Sequence, residues 1–172
     1  MSLVLIGFMG TGKSTIALQL SEKLKMPIME MDKQIVQKEQ MEISEIFATK
    51  GENYFREIET LLLKELQIEE HVIVSCGGGT PLRECNVIEM KKNGPVFLLT
   101  AEPETIWERV KTSKERPLLN KDMSLEHIRN LMKERKEKYL KAADHIIKTD
   151  GKKPEEICQE IINTIREECV NV

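Results

Sequence analysis

LIGFMGTGKST, residues 5–15, closes a short apolar run with three glycines, then a lysine followed by two hydroxyl side chains. Residues 7–14 satisfy the pattern G-x-x-x-x-G-K-[ST]. Glycine at these places allows backbone dihedrals, and an approach to a ligand, that a Cβ would block. Successive N–H groups, with the N-terminus of a following helix, then face phosphate oxygens. Lys13 offers a point charge to the β- and γ-phosphates, and Ser14 an oxygen ligand for Mg²⁺. The pattern needs a strand before it and a helix after it, and residues 4–6 and 16–24 read as those two elements. Gly10, Thr11, Gly12, Lys13, Ser14 and Thr15 are therefore expected to hold the phosphates of a nucleoside triphosphate.

Further short apolar runs at 27–31, 71–75, 96–99 and 145–147 join 3–6 as candidate strands. Between them lie amphipathic stretches with a 3.6-residue period. Tyr54, Phe55, Ile58, Leu61, Leu62 and Leu66 form one, and Ile157, Ile161, Ile162 and Ile165 another. Strands alternating with helices predict an α/β fold, three layers (α/β/α) around a central five-stranded parallel sheet, with residues 1–172 as a single domain. Two regions depart from the alternation. Residues 32–67 have room for several helices where one crossover would do, and 111–123 are polar and charged, with one proline. Such folds place substrate covers and lids at the C-terminal edge of the strands. Residues 32–67 are thus expected to form a substrate-binding insertion and 111–123 a lid.

Composition narrows the partners. A chain of 172 residues, 40% hydrophobic and 32% charged, can bury a core and is ordinary for a soluble domain. The net charge of −3, without a basic stripe, argues against nucleic acid. No apolar run approaches the ~20 residues that cross a bilayer, and the N-terminal run lacks the basic lead of a signal peptide. Cys76, Cys85, Cys158 and Cys169 show neither C-x-x-C pairing nor metal-like spacing, and read as reduced thiols of a cytoplasmic protein. His71, His127 and His145 lie far apart and are not assigned to catalysis. A monomer is expected.

The class of nucleotide user follows from other residues. A GTPase switch needs D-x-x-G and N-K-x-D; the first is absent, and in Asn120-Lys121-Asp122 the aspartate comes one residue early. A motor or transporter ATPase ends a strand in an aspartate that holds the metal's water shell. Here residues 72–74 run instead into Ser75-Cys76 and then Gly77-Gly78-Gly79. A second glycine cluster at a strand end suits either a flexible turn or a backbone that approaches a small polar ligand.

MEMD (29–32), FREIE (55–59), SCGGGTP (75–81), RPLL (116–119) and RKEKY (135–139), in this order and spacing, together resemble shikimate kinase over essentially the whole chain. The resemblance implies a P-loop kinase fold of the nucleoside-monophosphate-kinase kind, ATP and Mg²⁺, and transfer of the γ-phosphoryl group to the 3-hydroxyl of shikimate. Asp32 matches the aspartate that contacts the substrate hydroxyls and is the candidate base; read alone, it is equally an N-cap for a helix over 33–40. Where the family has a second aspartate near the metal's water shell this chain has Glu30, one methylene longer, and Ser75 stands where an ordinary ATPase has its metal-shell aspartate.

Arg56 matches an arginine that holds the substrate carboxylate, a contact suited to the guanidinium fork. Helical spacing sets it off the Phe55/Ile58/Leu62 face, where it could simply pair with Glu59. Arg135 falls on the apolar face of its helix, four residues after Leu131 and seven after Ile128. It requires either an internal salt bridge or an anion in a cavity, and the resemblance gives it the substrate carboxylate. By the same resemblance Gly77, Gly78 and Gly79 contact the substrate through their backbone. Arg116 closes over the γ-phosphate and shares charge neutralisation with Lys13, Arg109 stacks on adenine, and the loop 149–154 embraces the base through Lys152 or Lys153. A gluconate-type sugar-acid kinase shares the loop and an anionic substrate but fits less well beyond residue 74. A non-catalytic ATP-binding regulatory module would have no need of Asp32, Arg116 and Arg135.

Overall fold

The computed structural model describes residues 2–66, 71–111 and 124–170. Five strands, β1 (Leu3–Gly7), β2 (Ile28–Glu30), β3 (Ile73–Ser75), β4 (Val96–Thr100) and β5 (His145–Lys148), form one parallel sheet in the order β2-β3-β1-β4-β5. The phosphate-loop strand is therefore central, as a run without polar residues requires. Its residues split strictly by the two-residue pleat. Val4 and Ile6 join one core, and Leu3 and Leu5 the other, all at most 1% exposed. Replacing such a leucine by alanine costs about 2–5 kcal/mol.

On one face pack α1 (Lys13–Leu24) and α8 (Pro154–Val170), the latter through Ile157, Cys158, Ile161 and Ile162. The opposite core takes side chains from α2 (Met31–Glu39), α3 (Ile43–Lys50), α4 (Glu52–Glu65), α5 (Glu84–Asn93), α6 (Pro103–Val110) and α7 (Leu125–Ala142). The three layers and five parallel strands expected from the sequence are thus present, and 32–67 does carry three helices between β2 and β3. Among the described residues no helix is long and apolar enough to cross a membrane.

Boundaries differ where turn geometry overrides apolarity. The run 71–75 pairs only from Ile73, because His71 sits at φ 62, a turn conformation. The run 27–31 ends one residue early, because Met31 already opens α2 with Glu30 as its N-cap. Asp32 is consequently the second residue of that helix, and the N-cap alternative for it is wrong. In α4 the face also shifts. At about 100° per residue, Leu61 lies far around from Phe55, and it is 57% exposed. Glu59 takes the place within the face and is 0% exposed, between Phe55, Leu62 and Leu63.

Candidate active site

The loop between β1 and α1 is held in shape from inside. Gly7 at φ 152 and Gly12 at φ 94 occupy backbone conformations that side chains rarely adopt, and a Cβ on Gly7 would stand 2.5 Å from Leu99 O. Thr11, buried, donates its hydroxyl to Phe8 O at 2.7 Å. Lys13 folds back over the loop and donates to Gly7 O at 2.7 Å and Phe8 O at 3.1 Å, so its ammonium is fixed at the loop's centre. Ser14 and Thr15, in the first turn of α1, are exposed. Arg109, from the last turn of α6, donates to Gly10 O at 2.9 Å and to Thr149 Oγ1 at 3.4 Å, bridging the phosphate loop to the segment after β5. That segment is stapled down by Asp150, which accepts from Thr105 Oγ1 at 2.6 Å and Glu102 N at 3.0 Å. Lys152 pairs with Glu160 at 2.5 Å.

Beside the loop, at the same C-terminal edge of the sheet, opens a cavity of about 510 Å³. Asp32, Arg56, Glu59, the triplet Gly77–Gly79 and Arg135 all line it, so four separate segments of the sequence converge there. Leu131 and His127 of α7, Met9, and Phe47 and Phe55 from α3 and α4 also line it, as do Glu42 and Glu52. Both arginines face this one space, but their charge is handled differently. Arg56 donates to Glu59 Oε2 at 2.7 Å and to Glu52 Oε1 at 3.2 Å. The ion-pair alternative for Arg56 is realised without removing it from the cavity. Arg135 makes no ion pair among the described residues, so no internal salt bridge for it is seen there; its guanidinium lies 5.7 Å from the centre of the Phe8 ring.

Glu59 entered the sequence reading only as a pairing alternative for Arg56, yet it is itself a residue of the cavity. Burial pushes its carboxyl above the ordinary value, against the pull of Arg56 and of the hydroxyl of Thr80, which donates to Oε1 at 2.5 Å. Burial also works against the Arg56 charge, yet Glu59 and Glu52 outweigh it and raise that group's pKa. The network continues inward: Asn86, fully buried, donates to Thr80 O at 3.0 Å and accepts from Thr60 Oγ1 at 2.6 Å. It ties the 3₁₀ turn Thr80–Leu82, and so the glycine triplet before it, to α4 and α5. The sequence did carry a signal for Glu59, namely a carboxylate within the buried arc of an amphipathic helix.

The triplet's spacing to its neighbours is tight. A Cβ on Gly79 would stand 2.3 Å from Arg56 Nη2, and one on Gly77 would stand 2.8 Å from Asp32 Oδ1. This close packing favours the close-approach reading of the triplet over a flexible turn. Cys76, next to it, is fully buried; burial first, then Glu59, pushes its thiol far up, and it donates to Met90 Sδ at 3.7 Å. Cys76, Cys85 and Cys158 are free thiols.

Glu30 and Ser75 are register partners on β2 and β3, side by side at the sheet edge next to the loop. Glu30 pairs with Lys33. Together with Ser14 they offer oxygen donors only, the set that suits a hard cation such as Mg²⁺, which takes few protein ligands and completes its shell with phosphate oxygens and water. Arg116 and residues 112–123 lie outside the described residues.

Three comparisons bear on this arrangement. A family model described as Shikimate kinase matches residues 9–166. A shikimate kinase of Sulfurihydrogenibium sp. is 41% identical over 165 residues, covering 96% of this chain and 98% of its own. The solved shikimate kinase from Acinetobacter baumannii in complex with shikimate superposes with a TM-score of 0.90 at 30% identity, over 97% of this chain and 93% of that one. A gluconokinase from Sinorhizobium meliloti, covering 99% of this chain and 94% of its own, reaches a TM-score of only 0.59 at 12% identity, a likeness of fold alone.

Proposed function

This chain belongs to the shikimate kinase family, and from that premise we propose how its own residues carry the reaction. The enzyme transfers the γ-phosphoryl group of ATP to shikimate; the acceptor oxygen is the 3-hydroxyl. The observation that carries the reading is the convergence of Asp32, Arg56, Arg135 and the glycine triplet on one cavity beside the Lys13 loop. A small polyhydroxy acid needs cationic forks for its carboxylate, and a carboxylate and backbone groups for its hydroxyls. All of these line one cavity.

Arg56 and Arg135 hold the substrate carboxylate, Arg56 in a direction fixed by Glu59 and Glu52. Asp32 orients the 3-hydroxyl and takes its proton on a carboxylate oxygen as that oxygen bonds to the γ-phosphorus. The bond from γ-phosphorus to the bridging oxygen breaks, and ADP leaves with the electron pair. A loose phosphoryl transition state needs mainly alignment and charge neutralisation. Lys13, fixed by two loop carbonyls, supplies part of that charge without reorganising. Ser14, with Glu30 and Ser75 through water, would hold Mg²⁺, which when bound neutralises phosphate charge. Arg109 and Lys152 serve the adenine end, and Arg116 the γ-phosphate; these three roles rest on the family motifs. Residues 32–67 act as the substrate-binding insertion and 111–123 as the lid that excludes water. The proposed enzyme is a monomer, and the demand for ATP supports a cytoplasmic one.

ADP release measured with shikimate, with gluconate and with no acceptor tests the reading. Shikimate-dependent release is expected; turnover with gluconate but not shikimate sinks the substrate assignment, and none with either favours a binding module.

A further inference from the structure

All three carbonyls of the glycine triplet are taken by donors of this chain. Thr80 N–H reaches Gly77 O at 3.1 Å, Leu82 N–H reaches Gly79 O at 3.1 Å, and Tyr139 Oη reaches Gly78 O at 2.6 Å. The first two are local turn bonds. The third comes from a side chain 61 residues further along, on a different helix.

Tyr139 sits one helical turn after Arg135, on the stripe that runs through Ile128 and Leu131 to Ala142. It is buried, and burial pushes its phenol above the ordinary value, against the pull of Arg135. The proton therefore stays on the oxygen and is available to Gly78. A Cβ on Gly78 would stand 3.7 Å from Arg135 Nη1, 3.8 Å from Tyr139 Oη and 3.9 Å from Gly7 O. Gly78 thus lies between α7, with its cavity arginine, and the phosphate loop.

We propose that Tyr139 is a positioning residue for the acceptor substrate: by donating to Gly78 O it sets the Gly78–Gly79 peptide plane and the seat of Arg135 against the triplet. A trans peptide is rigid, so a carbonyl pinned toward α7 fixes the N–H of Gly79 in the opposite direction. Without the hydroxyl, Gly78 O loses its donor in a part-buried place. The plane is then free to rotate, and binding must order it again. This inference rests on the reading of the cavity as the shikimate site.

The test is Tyr139→Phe, which keeps the ring in the core and removes only the hydroxyl. Shikimate KM should rise about tenfold, with ATP KM within about twofold and kcat reduced less than shikimate affinity. Lys138→Met is the control, because Lys138 also ties α7 to the 3₁₀ turn Thr80–Leu82, through Leu82 O at 3.1 Å, but does not touch Gly78; its shikimate KM should stay that of the wild type. Wild-type turnover with an unchanged Tyr139→Phe shikimate KM overturns the inference alone. So does an equal rise in both KM values, or an equal rise in Lys138→Met, since each marks general helix docking. No shikimate turnover by the wild type overturns the functional reading, and the inference falls with it.

Discussion

Gly79→Ala should disable the acceptor site through a single added carbon. The Gly79 backbone, at φ −90 and ψ −12, suits any L-residue, so the substitution introduces no backbone strain. The new Cβ would lie 2.3, 2.4 and 2.5 Å from Arg56 Nη2, Nη1 and Cζ. Ordinary contact between such atoms is about 3.5 Å, so the guanidinium must withdraw by roughly 1 Å. For a free surface arginine that would be cheap. Arg56, however, is held at 2.7 Å by a carboxylate that is 0% exposed. Losing a hydrogen bond to a charged group costs about 1.5–3 kcal/mol, and leaving Glu59 charged and unpaired about 3–5 kcal/mol. Protonation of Glu59, which burial already favours, caps the loss toward the lower figure. A destabilisation of about 2–4 kcal/mol corresponds to a fall in Tm of about 5–12 °C for a chain of this size. With Arg56 displaced, shikimate affinity should drop about a hundredfold, equivalent to about 2.7 kcal/mol. The neighbours make the series diagnostic. Gly77→Ala meets Asp32 Oδ1 at 2.8 Å and should be intermediate, whereas Gly78→Ala meets nothing nearer than 3.7 Å and should be mildest in Tm and affinity. Thermal melts and shikimate titration calorimetry on the three variants read the order directly. Gly78→Ala as damaging as Gly79→Ala, or a wild-type Kd for Gly79→Ala, would refute the reasoning.

Lys13→Met should lower kcat about 10²- to 10³-fold with shikimate affinity little changed, as steady-state kinetics and calorimetry would record; a comparable loss of shikimate affinity would contradict the separation of the two sites. Arg135→Ala should raise the shikimate Kd about a hundredfold and leave ATP affinity within about twofold, and equal losses in both titrations would mark it as structural. Glu59 has a raised pKa in the fold, so its contribution to stability is full below the ordinary 4.5 and lost as pH rises through the folded value. The Tm of the wild type minus that of Glu59→Gln should therefore fall as pH increases over that window, and a difference that grows contradicts the burial of this carboxyl.

The fold was legible where one physical pattern dominated. The loop 7–14 fixed strand, turn and helix together, because its glycines, lysine and hydroxyl have one joint use. The alternation of apolar runs and 3.6-residue stripes then gave the parallel sheet. What escaped was set by turns and by distance in the chain. His71 and Met31 looked like strand residues by apolarity or position, but a left-handed turn and a helix start claimed them. Asp32 fell inside α2 for the same reason. Arg56 stood beside, not in, the apolar arc of α4, so nothing local said that it faced a cavity. Its direction comes from Glu59, itself held by Thr80 from another segment. Tyr139 was visible only as the last letter of RKEKY, since its partner is a backbone carbonyl 61 residues away.

The two cavity arginines are better understood as different devices than as a duplicate pair. Arg56 is balanced within the protein by Glu52 and Glu59, so it adds no net positive charge to the cavity. What it contributes is geometry, a fork whose position two carboxylates and the Gly79 backbone dictate. Arg135 makes no ion pair among the described residues, and its near neighbours are the Phe8 ring and the Tyr139–Gly78 contact. A half-buried guanidinium with no ion pair among the described residues retains its field for whatever anion enters. Placing both around one cavity lets the site bind a monoanion without a surplus of positive charge that would also draw a second phosphate-bearing ligand into the acceptor pocket. In the proposed reading, discrimination between acceptor and nucleotide arises from charge balance: Lys13 and the loop N–H groups would meet the polyanion, while the cavity, with Asp32, Glu42, Glu52 and Glu59 beside its two arginines, would repel it.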